Sequence, residues 1–557
     1  MSLGSDQFGS VPEDTATVVK AIFGRKKNKK ATKNAYIVFA DHFPIIFTQI
    51  DFEKLYSQLG QHGACPVRLA LLTLVQFAEG MSDEDAMEAL ISRIDLKYLL
   101  RLPLGHEGFD PSILTEFRAR LIKGSAEELL MDRILQLAED DGLLKKSKQR
   151  TDSTHVLSAA RSMTRVELIL EAMRHCLDVL SDIVPEFVLN VSTKFLMAQA
   201  YELRGLAFRI PKKENQRKEL AEKLGKDAVL VLSRIDGDES LGFLKKVPAV
   251  LTLRRVFAEQ FEDSGKGGPK FRKVEDLANS KYLIGSPHDT EARYSTKRED
   301  TWLGYAVHIT ETCEEGGPRL ITDVQATRAT TSDSETLPVI QRSLRKRGLS
   351  PAEQFVDAGY TKAESMKASA EKYSIKVIGP LRGGNTWQSQ ENKGFDISKF
   401  SIDWDSKKVT CPTGVQSQSW RERKGRNSIE VIFAGSNCQK CPFKEQCTKS
   451  EVGGRRLEFK PKELFEFLQK HRIYENSEEF KKAYRQRAGV EGAISQAVRT
   501  CEMRRARYVG LKKVSLQAKL TGAAINFLRT AAYLVKATVS KTRESRYARL
   551  RHLGVAA

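Results

Sequence analysis

The sequence predicts an α/β protein whose strand-and-helix core is broken by two inserts and preceded by a helical domain. Three observations predict it. Short segments rich in Thr, Val, Ile and Phe recur around residues 149–157, 302–312, 320–327, 354–357 and 375–378 and alternate with helical stretches, as in a sheet covered by helices. Residues 164–262 carry apolar side chains at helical spacing instead, and residues 385–460 carry short alternating runs rich in Thr, Ser, Trp and Cys. At 557 residues the chain is too long for one core and has room for about three to four domains. Its net charge of +20 and isoelectric point near 9.4 point to a polyanionic partner, nucleic acid before others.

Residues 1–35 are small and polar and end in the basic run Gly24-Arg-Lys-Lys-Asn-Lys-Lys-Ala-Thr-Lys33, which predicts a flexible basic arm with nothing to build a core from. Residues 36–145 read as a helical domain: Leu69, Leu72, Val75 and Ala78 fall at helical spacing, and Ser82 with Asp85 forms a helix start. Its last helix carries Arg118 and Arg120, which face either DNA or solvent. Residues 146–163 hold a strand, Gln149–Leu157, with Asp152 inside it. The helical insert, 164–269, closes in the loop Ser264-Gly-Lys-Gly-Gly-Pro269.

The core resumes over 270–384. Strands at 302–312 and 320–327 pair across a Gly-Gly-Pro turn, a helix covers 334–347, and strands at 354–357 and 375–378 flank another helix. Residues 385–462 form a β-rich insert with a cysteine cluster. Residues 463–540 are helical again, with Arg504, Arg505, Arg507, Lys512 and Lys513 interleaved, and 541–557 form a basic tail. There is no internal repeat. No apolar run reaches about eighteen residues and no secretory leader is visible, so the expectation is a soluble, intracellular chain.

Three carboxylates on separate elements carry the candidate chemistry. Asp152 lies in a strand, Asp357 closes a second strand before Ala358-Gly359-Tyr360, and Glu491 lies in a helix much later. Hard divalent ions take oxygen ligands, and two of them about 3.5–4 Å apart can activate a nucleophile and stabilise the leaving oxygen of a phosphodiester. A carboxylate at the end of a buried strand also needs compensation, which a cation supplies. Taken singly, each acid has an ordinary reading as a helix cap, a turn residue or a surface charge.

The segment Tyr484-Arg-Gln-Arg487-Ala-Gly-Val-Glu491 bears the spacing Tyr, two residues, Arg, three residues, Glu, which places the three side chains on one face of a helix. With Thr151-Asp-Ser-Thr-His-Val156 and Val356-Asp-Ala-Gly-Tyr360 it resembles the bacterial insertion-sequence transposases of the DDE superfamily, in the group with that signature. The resemblance implies an RNase H-like catalytic core split by the two inserts, with 463–540 as its last part and 36–145 as the DNA-binding domain. It implies Asp152, Asp357 and Glu491 as ligands of two Mg²⁺ or Mn²⁺ ions, and Tyr484 and Arg487 as phosphate contacts. Position 498 is Val, so Arg499 is the next basic residue able to meet a phosphate. The implied activity is cleavage at inverted-repeat ends and joining of the freed 3′-hydroxyls to target DNA, by a homodimer or higher assembly on the nucleoid in a bacterial cytoplasm. The rivals are an inactive DNA-binding relative, opposed by the three acids, and an RNase H-like nuclease without strand transfer, opposed by the Tyr-Arg-Glu segment.

Cys438-Gln-Lys-Cys441, Cys447 and the upstream Cys411 put four thiols in one insert, which fits a structural zinc; reduced thiols and an iron–sulfur cluster are the other readings. Cys65, Cys176, Cys313 and Cys501 read as core thiols. Trp387, Trp404 and Trp420 offer rings either to an unpaired base, for which Trp387 is the candidate, or to a core. His155 and His288 read either as structural or as supports behind the metal ligands, because metal chemistry needs no histidine, and Asp289 and Glu291 are nearby acids with the same two readings.

Overall fold

A computed structural model describes residues 2–3, 8–24, 34–202, 209–263, 268–297, 299–382, 387–388 and 394–536. Contacts divide the chain into two compact units: Met1–Lys145, Glu314–Val324 and Ser495–Ala557 form one, and Lys146–Cys313 and Gln325–Ile494 the other. The segment 463–540, expected to stay whole, is thus divided at Ser495.

In the first unit the helix Pro66–Glu79 is buried from Pro66 to Ala78 and ends at Gly80, whose φ of 73° suits a residue without Cβ. Ser82 caps the next helix, Asp83–Ser92, as expected, its side chain accepting from the Asp85 amide while Asp85 bonds back. The helix Leu511–Leu534 belongs here because its apolar residues meet those of the N-terminal helices: the Phe527 ring lies 4.2 Å from Phe39. Asn526 bonds both backbone groups of Ile321, at 2.7 and 2.8 Å. The arm is not wholly irregular. Glu13–Phe23 is helical, with Val19 buried and the Thr15 hydroxyl donating to the Leu102 carbonyl at 2.7 Å, so two anchors in a polar segment order it. The basic run 25–33 and the tail 541–557 lie outside the described residues.

The second unit holds, in order, β1 (Lys148–Leu157), β2 (Phe261–Asp263), β3 (Pro269–Phe271), β4 (Arg293–Lys297), β5 (Asp300–Thr312), β6 (Ile321–Arg328, entering this unit at Gln325), β7 (Glu353–Phe355) and β8 (Lys376–Ile378). β1 pairs antiparallel with β5, which pairs with β4 and β6; on its other side β1 runs parallel to β7, and β7 to β8. The helix Asp333–Lys346 connects β6 to β7, and Ala363–Tyr373 connects β7 to β8. A buried polar chain locks these pieces together. Ser369 donates to Gln341, Gln341 to Gln354 on β7, and Gln354 to Thr151 on β1, whose hydroxyl meets Thr310 on β5, each at 2.8 or 2.9 Å. Every member is satisfied, so the chain fixes register without the cost of an orphaned polar group.

The helical insert packs Arg165–Ile183, Glu214–Gly237 and Pro248–Gln260 around Met173, Leu224, Val231 and Leu253, closed by the β2–β3 hairpin. Residues 264–267 of the expected loop lie outside the described residues. The β-rich insert has a two-stranded and a three-stranded sheet around Val409, Val431 and Phe433. Trp404 and Trp420 meet edge to face at 5.8 Å within it, the core alternative for both rings. Among the described residues no helix is long and apolar enough to cross a membrane.

Candidate active site

Successive side chains of β1 leave opposite faces of the sheet. Arg150 and Asp152 share one face and both meet the segment that follows Tyr484: Arg150 Nη1 donates to the Gln486 carbonyl at 2.8 Å, and Arg487 Nη2 lies 2.5 Å from Asp152 Oδ2. Arg150 is held by Glu311, its cross-strand partner on β5, at 2.6 Å in a fully buried ion pair. Asp357 stands two residues beyond the end of β7, not within it, and its Oδ1 accepts from the Gly359 amide at 2.8 Å.

A fourth carboxylate, which the sequence reading did not single out, stands with them. Asp333 follows the capping residue Ser332 at the start of its helix, and the Ser153 hydroxyl donates to its Oδ1 at 3.2 Å. A Cβ at Gly359 would lie 2.4 Å from Asp333 Oδ2 and 2.9 Å from Asp357 Oδ1, so only glycine leaves room for both acids. Burial, and then the neighbouring Asp357 and Asp152, raise the Asp333 carboxyl above its ordinary range. Burial also raises Asp152, against the opposing pull of Arg487. An acid at a helix start has an ordinary explanation as a capping or dipole charge, which is why its sequence position carried no signal.

Tyr484, Arg487 and Glu491 do not share one continuous helix. The helix Glu478–Tyr484 gives way to a 3₁₀ turn, Arg485–Gly489, before the helix Val490–Arg499 begins. The cause lies in β1: a Cβ at Gly489 would fall 1.9 Å from Arg150 Nη1, so the chain passes against that guanidinium and tightens around it. Arg487 therefore links two of the expected acids, with Asp152 on one nitrogen and Glu491 3.7 Å from the other. Glu491 itself is 71% exposed. Tyr484 stacks on Phe480 at 5.3 Å, and Arg499 is exposed at its helix end. Among the described residues no three His, Cys, Asp or Glu side chains already close into a metal-holding group.

Arg118 departs from expectation. It is buried, and its guanidinium spends two nitrogens on Asp83, at 2.9 and 2.6 Å, so it is a structural residue and not an exposed phosphate contact. Arg120 pairs with Glu116 at 3.0 Å and lies over the Tyr56 ring. The helix that carries them, Ser112–Lys123, is followed by another, Leu129–Asp140. Trp387 is half-buried with Lys449 over its ring at 5.3 Å. His155 packs on Trp302, His288 pairs with Glu171 at 2.9 Å, Asp289 accepts from Ser158 and Tyr305, and Glu291 lies 3.7 Å from Arg328. Cys65, Cys176, Cys313 and Cys501 are buried. Cys411, Cys438, Cys441 and Cys447 are partly exposed and line one cavity of about 30 Å³; burial raises the Cys447 thiol.

Two family models match the chain: one described as a transposase DDE domain over residues 410–531, and one as a transposase domain (DUF772) over residues 26–120. The first span contains Glu491 and the cysteine cluster; Asp152 and Asp357 lie outside both. No curated protein and no solved structure matches.

Proposed function

We propose, from the premise that this chain belongs to the insertion-sequence transposases of the DDE class, that it cuts DNA at the inverted-repeat ends of its element and joins the freed 3′-hydroxyls to target DNA. The observation that carries this reading is the convergence of Asp152 and Asp357 at neighbouring strands, with the Tyr-Arg-Glu segment brought against Asp152 by Arg487. The donor set is all oxygen, and the Gly359 notch admits two acids that repel one another, so a divalent cation fits. Mg²⁺ or Mn²⁺ held there by Asp152, Asp357 and Glu491 would stabilise the attacking and leaving oxygens of an in-line displacement at phosphorus.

The chain's own residues do the rest. Arg487 offers a planar fork suited to a phosphate, and in the absence of DNA it spends that fork on Asp152. Tyr484, just before the 3₁₀ turn, would offer its hydroxyl to the same phosphodiester strand. The antiparallel β1–β5 and parallel β1–β7–β8 pairings support an RNase H-like core. The four thiols line one cavity, and as four thiolates they would complete the tetrahedral shell of a structural zinc. Joining two ends calls for two active sites, hence a homodimer or higher assembly on DNA, and the basic balance fits a protein of the bacterial cytoplasm that works on the nucleoid.

Divalent-cation-dependent nicking of an end-containing duplex, run beside a binding assay, tests the reading. Asp152→Asn, Asp357→Asn and Glu491→Gln should each abolish nicking, without additive losses, while end binding survives. Near-normal nicking by Glu491→Gln refutes the triad, and an inactive parent favours the DNA-binding rival. The same preparations should hold about one zinc per chain, and a Cys438→Ser, Cys441→Ser double variant none.

A further inference from the structure

We propose that Asp333 is a further carboxylate ligand of the cations this site takes, sharing one ion with Asp357. The inference rests on the site being a cation-dependent phosphodiester centre, and it adds a residue from an element the triad does not use.

The capping role at this helix start is already filled. Ser332 accepts from the Glu335 amide, and Glu335 accepts from the Ser332 amide at 3.1 Å, which completes the reciprocal cap. Asp333 turns elsewhere, Oδ1 toward Ser153 and Oδ2 into the Gly359 notch opposite Asp357 Oδ1. Two anions aimed at one point are costly unless a cation lies between them. The protein places cations nearby without pairing either acid: Lys297 favours the charged Asp333 through space, and Arg382 donates to the Ala358 and Gly359 carbonyls. Arg487 answers Asp152 and Glu491, but among the described residues no lysine or arginine comes within ion-pair distance of Asp333 or Asp357. The basic group within ion-pair reach of Asp333 is the fully buried His308, 3.7 Å away. The notch, two carboxylates turned to one point and the lack of a direct lysine or arginine pair to either together describe a place for an ion from solution.

Mn²⁺ titration of the full-length chain, followed by the loss of the free-ion electron paramagnetic resonance signal, tests this without reference to activity. Asp333→Asn should weaken Mn²⁺ binding about tenfold or more, as Asp357→Asn should, while melting in EDTA stays at or above the parent value because a repulsion has been removed. If Asp333→Asn fails to fold, Asp333→Ser, which keeps a good helix start, is read in its place. Affinity within twofold of the parent overturns the proposal. Should Asp152→Asn and Asp357→Asn weaken binding while Asp333→Asn does not, the centre stands and Asp333 alone falls. If none of the three changes binding, both readings fall.

Discussion

His308 shows how a single residue can support the site without touching substrate. Its ring is enclosed on β5, with Nδ1 2.7 Å from the Tyr360 hydroxyl and Nε2 3.3 Å from Thr327 Oγ1. Burial pushes its pKa down to about 3 from 6.5. The neutral ring then pairs with Tyr360 at Nδ1 and Thr327 at Nε2, one nitrogen donating and the other accepting. A histidine whose folded pKa lies below its unfolded one adds stability that is complete above about pH 6.5 and is lost as pH falls toward 3, by up to about 1.4 kcal/mol per pH unit. Facing groups modulate this, Tyr360 by holding the neutral ring and Asp333 by favouring a charged one. His308→Gln keeps both hydrogen-bonding ends, so its melting temperature should fall less steeply than the parent's between pH 6.5 and 4; parallel curves would exclude this account. At this scale the sequence was only partly legible. Asp152 and Asp357 could be found because each lies in or just beyond a strand-like run. Asp333 could not, since what distinguishes it is a glycine 26 positions downstream that lets two acids face one another. Arg118 misled because its partner Asp83 comes from a different helix.

Elements were easier to read than their junctions. The strands around Asp152 and before Asp357 announced themselves through short apolar and β-branched runs, and the helix after Ser82 through its cap, because those signals are local. The break between Tyr484 and Glu491 is not local. A period of 3.6 predicts one helix face, but Arg150 on a distant strand presses on Gly489 and accounts for the tighter turn. Gly489→Ala should therefore displace Arg150 from the Gln486 carbonyl and shift Arg487 and Glu491 together. A shift of about 1 Å at a reacting centre costs on the order of a hundredfold, and nicking should fall by that order. Gly492→Ala, where a Cβ meets nothing within 4 Å, should leave it intact. Equal nicking rates for the two variants would show that the turn does not position the site. The split of the C-terminal segment at Ser495 was hidden for a related reason: the apolar residues of Leu511–Leu534 fit any core, and only their partners say which.

For the whole molecule the decisive quantity is the number of phosphates met, which net charge does not count. Several arginines are committed inside the fold: Arg118 to Asp83, Arg150 to Glu311, Arg93 to Glu79 and Asp95, Arg68 to the Leu100 carbonyl, and Arg293 to backbone carbonyls. These groups cannot release counterions from DNA. Each phosphate neutralised contributes about −0.9 to the slope of log affinity against log salt, and specific binders commonly make about six to ten such contacts. The end-binding slope should therefore lie at about −5 to −9, far from the value of roughly −18 that spending the full net charge of +20 would give. The slope should be the same for Asp152→Asn, because the acids take no phosphate in the absence of a cation, and shallower by about one unit for Arg487→Ala, whose fork is the proposed phosphate contact beside Asp152. A slope near zero would remove phosphate contacts as the source of affinity. An Arg487→Ala slope equal to the parent's would leave that residue as a partner of Asp152 and nothing more.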